Sequence, residues 1–289
     1  KDENEQNQEN NEEENNENMD EQNLNQENNE EQNQEPENKE KFEQTFPADY
    51  IIEGQDQTRG WFNALMVMSV ALFDKPAFRV VSANGMILDE QKRKFSKSLH
   101  NFVDPSEQLE TYGADAVRLF ILGSNFMKAE PVSVDKEGKV FNDTIKTILT
   151  PLWNAYHFFT LYANAGNVTA TPDATSTNPL DKYIVAELNE VLQITTNALD
   201  EYKPDIAIKE FVRFLDVLIN WYIRRGRARF WGEEQAAFNT LYYVLVEFCK
   251  MMAPFAPFMS EYIYKNLTGA ESVHLESWPI AQEYDERRN

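Results

Sequence analysis

Residues 50–61 read YIIEGQDQTRGW, and this stretch decides the fold of the first folded part of the chain. The β-prone residues Tyr50-Ile51-Ile52 predict a short buried strand that ends at Glu53-Gly54. Apolar residues then recur at helical spacing and predict a helix from Thr58 to Leu72, and Phe78 to Ala83 predicts a second strand. A strand, a helix and a strand in this order indicate a right-handed crossover unit of a parallel sheet.

The turn between the first strand and the helix has the residues of a ligand site. In an open parallel sheet, ligands bind where the strands end. Gly54 would let a ligand approach the backbone, Asp56 can accept hydrogen bonds from ribose hydroxyls, and Glu53 can bind an ammonium group or another donor. The helix N-terminus favours phosphate. The alternative is an Asx cap flanked by solvated charges, and the residues alone leave both interpretations open.

A cationic loop follows the second strand. Residues 92–99 read KRKFSKSL, with four cations in six residues and no acidic residue among them. Lysines supply point charge and serines supply hydrogen bonds, so this composition suits a polyphosphate. The candidates are Lys94, Ser96, Lys97 and Ser98. A solvated surface loop is the alternative.

The second half of the chain has the pattern of a helical bundle. Asp104-Pro105 predicts the start of a helix, with the aspartate as N-cap, and Ala114 to Leu122 predicts another. Strand patterns stop near Gly138. Long amphipathic helices are predicted beyond it, with a loop at 169–178 between the first two; their ranges are 140–165, 180–201, 206–231, 234–251 and 257–267. The predicted fold class is therefore α/β followed by all-α.

Charge and composition divide the chain unevenly. Residues 1–45 contain 17 acidic residues, 3 lysines and 20 Asn or Gln, and they carry −14 of the net charge of −22. Such a segment has little to bury, and we predict that it is disordered. The other 244 residues carry only −8, so local basic clusters decide whether a nucleic acid can bind.

Several classes of site and segment are not expected. The single cysteine, Cys249, excludes an internal disulfide and a multi-cysteine zinc site, and a core position is expected for it. The histidines are too scattered for a metal site or a catalytic triad, and we expect structural roles for them: His100, His157 and His274. No apolar run reaches the length of a membrane span, and no signal peptide is visible at Lys1.

A cluster of arginines lies in the predicted helix 206–231. Residues 220–231 read NWYIRRGRARFW. Guanidinium groups bind phosphate, and aromatic rings stack on unpaired bases. The RNA-binding candidates are Trp221, Arg224, Arg225, Arg227 and Arg229. In the alternative interpretation these charges pair with acids such as Glu233 and Glu234, and the tryptophans lie in the core.

Five segments in this order resemble class I aminoacyl-tRNA synthetases, and among them the isoleucine-specific family. They are residues 53–61 (EGQDQTRGW), the loop at 94–98, 112–119 (YGADAVRL), 220–231, and the pair 253–258 (APFAPF) and 272–275 (SVHL). The loop resembles the Lys-Met-Ser-Lys-Ser signature of that family. The resemblance covers roughly Pro36 to Pro279.

The resemblance implies a domain order and a reaction. Residues 46–137 would be the C-terminal half of a Rossmann-like catalytic domain with its connecting segment, and 138–289 would be a helical anticodon-binding domain. The implied partners are ATP with Mg²⁺, isoleucine and tRNA(Ile), with no zinc site, in a cytoplasmic monomer without a membrane partner. The implied reaction forms isoleucyl-adenylate and transfers isoleucine to tRNA.

The resemblance also assigns roles by position. The contacts to the adenylate would come from Glu53, Gly54, Asp56 and Gln57. Trp61 would line the pocket for the amino-acid side chain, with a plain helix core as the alternative. Lys97, helped by Lys94 and the two serines, would neutralise the ATP phosphates.

Two residues depart from the family pattern, and some family elements do not occur. Phe95 stands where the family usually has Met, and His100 stands where Gly is common; Gly tolerates positive φ better than His. The earlier His-x-Gly-His-type signature, the editing insertion and the terminal zinc module are not found in these residues. We therefore expect the chain to be incomplete and inactive alone. A valine or leucine enzyme, a non-catalytic tRNA-binding fragment and a helical interaction protein remain alternatives.

Overall fold

The computed structural model describes residues 38–96 and 101–281. The chain divides into two compact units, residues 1–82 and 83–289, and each is described by itself. The predicted domain boundary at residue 137 lies inside the second unit. It stays a prediction about domain organisation.

The first described segment of unit one is helical. Residues 38–45 form a helix, so the predicted disorder of 1–45 is wrong for this part, whereas 1–37 lie outside the described residues. The physical reason is aromatic packing. The ring of Phe42 lies 4.9 Å from that of Phe46 and 5.1 Å from that of Phe73, and these contacts anchor the helix.

The predicted order of strand, helix and strand is confirmed, but the first strand is not buried as predicted, since Ile52 is 38% exposed. Strand β1 spans Ala48–Gly54, a 3₁₀ turn follows at Gln55–Arg59, helix α1 spans Trp61–Phe73 and strand β2 spans Phe78–Asn84. The two strands are neighbours in one sheet. The Ala48 N–H donates to the Ala77 carbonyl at 3.0 Å, which joins the beginnings of both strands, as in a parallel pair.

Unit two begins with a second small parallel sheet. Strand β3 (Ile87–Leu88) pairs in parallel with β4 (Val132–Ser133). Just before β3, the Gly85 N–H donates to the Phe126 carbonyl at 2.8 Å. A side chain at this glycine would meet the Glu130 carbonyl oxygen at 1.8 Å, so the close approach of the two backbones requires glycine.

The helical prediction is confirmed, with details that the pattern did not show. Two stretches predicted as uniform helices contain π-helical turns, at Ile145–Leu149 and Val217–Ile223. The α-helices of this unit are α2 (Pro105–Tyr112), α3 (Ala114–Gly123), α4 (Lys139–Thr144), α5 (Thr150–Ala165), α6 (Pro179–Asp200), α7 (Pro204–Asp216), α8 (Arg224–Trp231), α9 (Gln235–Met252) and α10 (Pro257–Thr268).

The core of unit two is rich in aromatic rings. Phe211 packs edge-to-face on Phe248 and Phe255, with centroids 5.6 and 5.0 Å apart. Cys249 is fully buried beside them, as expected, and burial raises the pKa of its thiol. Within the described residues, no helix is long and apolar enough to cross a lipid bilayer.

Helix α3 attaches the segment after the cationic loop to the bundle. The Asp115 carboxylate accepts hydrogen bonds from the backbone N–H groups of Phe258 (3.2 Å) and Met259 (2.8 Å) and so caps α10. Arg118 donates to the carbonyls of Pro254 (2.7 Å) and Phe255 (3.3 Å). These bonds pair two carbonyls and one N–H group of the APFAPF segment, residues 253–258, and so attach this segment to α3.

Replacing Asp115 with Ala should lower the free energy of unfolding by about 1–3 kcal/mol, because two partly buried backbone N–H groups lose their acceptor. Urea unfolding of the 289-residue chain measures this. The matched control is Glu107→Ala in the exposed first turn of α2, with an expected change below about 0.5 kcal/mol. Equal effects of the two changes would contradict the capping role.

Candidate functional site

The turn after β1 positions the first group of predicted site residues. The Gln57 side-chain oxygen accepts the Trp61 N–H at 2.7 Å and so caps helix α1. A Cβ atom at Gly60 would lie 2.5 Å from that same oxygen, so a larger residue there would displace the capping side chain. The side-chain oxygen of Gln57 therefore has a structural role as a helix cap. Its predicted adenylate contact stays a prediction.

The Asp56 carboxylate lies close to the backbone of Gly54. A Cβ atom at Gly54 would lie 2.7 Å from the carboxylate oxygen, so a larger residue there would displace this carboxylate from the strand end. Glu53 and Asp56 are both exposed, and the Glu53 carboxylate accepts the Gly54 N–H at 3.3 Å. The turn thus presents two open carboxylates beside a helix N-terminus.

Trp61 is not a core residue within unit one. Its side chain is 44% exposed, and its ring lies 5.9 Å from that of Phe62, which is buried. The plain-core alternative is therefore wrong among the described residues. The position leaves the indole available to a ligand at the same turn.

The base of the cationic loop is held by a polar cluster. Buried Asp89 accepts hydrogen bonds from the Arg93 backbone N–H (2.7 Å), the Arg93 Nε (2.8 Å) and the Asn101 amide (2.8 Å). Asn101 in turn accepts the Ser96 N–H at 2.8 Å and donates to the Lys94 carbonyl at 3.2 Å. Burial opposes the charge of Asp89, but these donors outweigh it and lower its pKa to about 2.

The loop is also held by an apolar contact. Phe95 lies edge-on to Phe102 at 6.0 Å and lines a cavity of about 110 Å³ with Ile87 and Val103. The phenylalanine thus packs where the family has methionine. Lys94 is exposed. The other loop predictions lie outside the described residues: Lys97, Ser98 and His100.

Arg229, which the sequence predicts to contact RNA, is instead mostly buried and paired with acidic side chains. Its side chain is only 13% exposed and donates to both Asp181 oxygens, at 2.7 and 2.6 Å. It also donates to Glu234 at 2.7 Å. Tyr222 donates to Asp181 at 2.7 Å. Burial opposes the charge of Arg229, but the two carboxylates hold its pKa above the usual value. Because the Arg229 guanidinium is already bound bidentately by Asp181, its role in the fold is structural.

Trp221 and Arg225 also contact their own chain. The Trp221 ring lies 4.4 Å from that of Tyr183, and the Arg225 guanidinium lies 4.8 Å above the Trp221 ring. This is a cation–π contact. Arg224 and Arg227 are exposed, and neither has an ion pair recorded among the described residues.

The two described histidines and one cluster of carboxylates are the remaining candidates for a polar site, and we assign no site to them. His157 and His274 are exposed and far apart in sequence. Three carboxylates, those of Glu90, Asp135 and Glu137, lie close enough to hold a cation, but exposed acidic groups are common without one. No role is assigned to this cluster.

Comparison with known proteins decides the family. A family model described as tRNA synthetases class I (I, L, M and V) matches residues 4–133, and one described as the anticodon-binding domain of tRNA ligase matches 181–289. An isoleucine–tRNA ligase of Protochlamydia amoebophila (strain UWE25) is 46% identical over 257 residues, which cover 84% of this chain. This chain belongs to the class I aminoacyl-tRNA synthetases. An isoleucine–tRNA ligase of Treponema denticola is 42% identical and covers 86% of the chain.

The chain spans only about a quarter of the length of these class I relatives, 24% in both cases. Solved structures share the fold. A LeuRS–tRNA–LeuAMS ternary complex from Agrobacterium radiobacter K84 has a TM-score of 0.66 and 22% identity over 82% of this chain and 29% of that chain. The Mycobacterium tuberculosis methionyl-tRNA synthetase has a TM-score of 0.63 and 20% identity over 77% and 44%, respectively.

Three residues that position the sites were missed by sequence reasoning: Asp89, Asn101 and Asp181. Each is a buried polar residue whose partner lies elsewhere in the chain. Asp181 follows Pro179 in the first turn of α6, where an acidic residue is common at a helix N-terminus. That pattern gives no sign of the arginine 48 residues later.

The amide protons at the loop base should lose protection in acid. Because the Asp89 pKa is lowered, its contribution is present above about pH 4 and is lost as the pH falls to about 2. Hydrogen exchange of the Arg93 N–H, corrected for the intrinsic rate, should show this loss. The Val132 N–H, which bonds to the Met86 carbonyl, is the control. Equal behaviour of both amides would contradict the assignment.

Asp181→Asn should lower the free energy of unfolding by about 3 kcal/mol, because it leaves Arg229 buried with an incomplete ion pair. Glu201→Gln, in the exposed pair with Lys203, is the control and should change it by less than about 1 kcal/mol. Urea unfolding of both variants checks this. A loss no larger than that of the control would show that the Asp181–Arg229 pair is dispensable.

Proposed function

We propose that the protein containing this chain is an isoleucine–tRNA ligase, which forms isoleucyl-adenylate from isoleucine and ATP and transfers isoleucine to tRNA(Ile) in the cytoplasm. The observation that carries this proposal is the 46% identity over 257 residues to an isoleucine–tRNA ligase. This alignment covers 84% of the chain, so it includes both the turn at residues 53–61, called the adenylate turn here, and the arginine-rich helix segment at 220–231. The chain itself contributes part of that machinery.

The adenylate turn has side chains suited to bind isoleucine and the ribose of ATP. In the proposed reaction, the isoleucine carboxylate attacks the α-phosphorus of ATP and pyrophosphate leaves. Asp56, which Gly54 allows to fold back over the strand end, would accept from the ribose hydroxyls. Glu53 would bind the ammonium group, and exposed Trp61 would contact the isoleucine side chain.

The cationic loop has side chains suited to bind the phosphates of ATP. Lys94 and Lys97, with Ser96 and Ser98, would neutralise and bind the phosphates as charge develops on them. The catalytic contribution is electrostatic and positional, and no side-chain nucleophile is needed. Mg²⁺ would enter with ATP as part of the substrate.

Two other functions remain distinguishable. A valine or leucine enzyme would use the same turn and loop with another amino acid. A non-catalytic tRNA-binding protein would use only the helical part. The leucyl and methionyl enzyme structures are only 20–22% identical to this chain and support the fold alone, whereas the isoleucine–tRNA ligases are 42–46% identical.

ATP–pyrophosphate exchange by the full-length protein tests the proposal. Isoleucine should support exchange better than valine or leucine. Lys97→Ala should lower the rate by about 100-fold, because one preorganised charge at the phosphates is lost. Lys265→Ala, which removes a half-exposed lysine of α10, is the control and should leave the rate unchanged. Exchange with valine or leucine instead, or none with any amino acid, would overturn the isoleucine assignment.

A further inference from the structure

An apolar cavity adjoins the base of the cationic loop. Its volume is about 110 Å³, and Phe95 of the loop forms one of its walls. The other walls come mainly from strand β3 and helices α2, α3 and α4. Apart from Gln108, every described residue that lines this space is apolar. It is called the loop cavity below.

Gln108 is the one polar side chain among the described residues that line the loop cavity. The residue is only 6% exposed, and its Oε1 atom is buried and accepts no hydrogen bond from any described residue. Buried carbonyl oxygens are nearly always hydrogen-bonded, because an unpaired acceptor has lost its bonds to water without a replacement. A donor inside the loop cavity would supply the missing partner.

The walls and the volume together limit what can fill this space. A buried water makes about three hydrogen bonds, and the described lining side chains offer it only the Gln108 amide. No charged residue is among them, so an ion would be desolvated without compensation. Since about 150 Å³ is enough for benzene, about 110 Å³ suits a molecule of about four or five carbon atoms.

We propose that the loop cavity binds a small neutral molecule with an apolar body and one hydrogen-bond donor, such as a branched aliphatic alcohol, and that the Gln108 oxygen accepts its O–H. The apolar body would contact Phe95, and Phe95 belongs to the cationic loop. An occupant therefore restrains the base of the loop through this ring. The inference goes beyond the proposed function, because neither ATP, isoleucine nor tRNA takes part in the binding.

NMR of the 289-residue chain with isobutanol tests the site. Nuclear Overhauser effects from the alcohol should reach the methyl groups of Val117 and Val134, which line the loop cavity, and not those of Val191, which is buried in α6. 2-Methoxypropane is an isomer of isobutanol without an O–H group. It should bind about tenfold more weakly, because it cannot donate to Gln108.

The variant Gln108→Leu tests the hydrogen bond. It replaces the acceptor with an apolar group, so the affinity for isobutanol should fall by about tenfold while the affinity for 2-methoxypropane stays the same. The matched control is Gln193→Leu on the exposed side of α6, which should change neither affinity. Circular dichroism should show that both variants are folded, and the comparison of the two isomers in the parent chain needs no variant.

Hydrogen exchange tests the restraint of the loop. The Ser96 N–H donates to the Asn101 side chain at the loop base. With isobutanol at about ten times its Kd, exchange of this amide should slow by about tenfold, because the base must release the alcohol in order to open. The same concentration of 2-methoxypropane is the control for solvent effects and should slow exchange by about twofold at most.

The outcomes separate this inference from the proposed function. The ligand assignment is wrong if the alcohol gives no effect at Val117 and Val134, if both isomers bind equally well, or if Gln108→Leu leaves the alcohol affinity unchanged. The restraint of the loop is wrong if bound alcohol leaves the exchange rate of Ser96 unchanged. None of these results bears on the isoleucine assignment, which pyrophosphate exchange tests by itself.

Discussion

The ion pair between Asp181 and Arg229 determines which residues of helix α8 can meet a partner. Asp181 lies in the first turn of α6 and receives hydrogen bonds from Tyr222, within the last π-helical turn, and from Arg229, in the helix that follows it. A buried carboxylate is costly unless it is paired and hydrogen-bonded, so these three groups must stay together. Their geometry fixes the rotation of α8, and that rotation turns Arg224, Arg227 and Trp231 outward.

The same principle applies at the base of the cationic loop. Asp89 is a buried carboxylate whose charge is balanced by Arg93 and whose remaining oxygen positions are occupied by Asn101 and the loop backbone. Lys94 projects from a clamped base, and Phe95 packs against Phe102 below it. Polar pairing and apolar packing thus hold opposite sides of one short segment, while the lysine itself remains in solvent. A phosphate-binding loop needs this combination of a fixed base and an exposed cation.

Charge in this chain is a local property. The net charge of −22 does not exclude an RNA partner, because −14 of it comes from the first 45 positions. Screening confines the effect of exposed charges to about 10 Å at moderate salt. The exposure of Arg224 and Arg227 on α8 is therefore a local feature that the net charge of the chain does not reveal.

Periodicity and turn chemistry were sufficient for the strand–helix–strand order, the bundle helices and the turn at residues 53–61, because these depend on neighbours along the chain. Ordered motifs likewise identified the synthetase family, since the loop and arginine segments are contiguous. The assignment of Arg229, Trp221 and Trp231 required the fold. Charge and aromaticity are visible in a sequence, but exposure depends on partners such as Asp181 and Tyr183, about 40 or more residues away. Tertiary packing alone selects between solvent and partner, because the free energy of a buried pair comes from groups that only folding brings into contact.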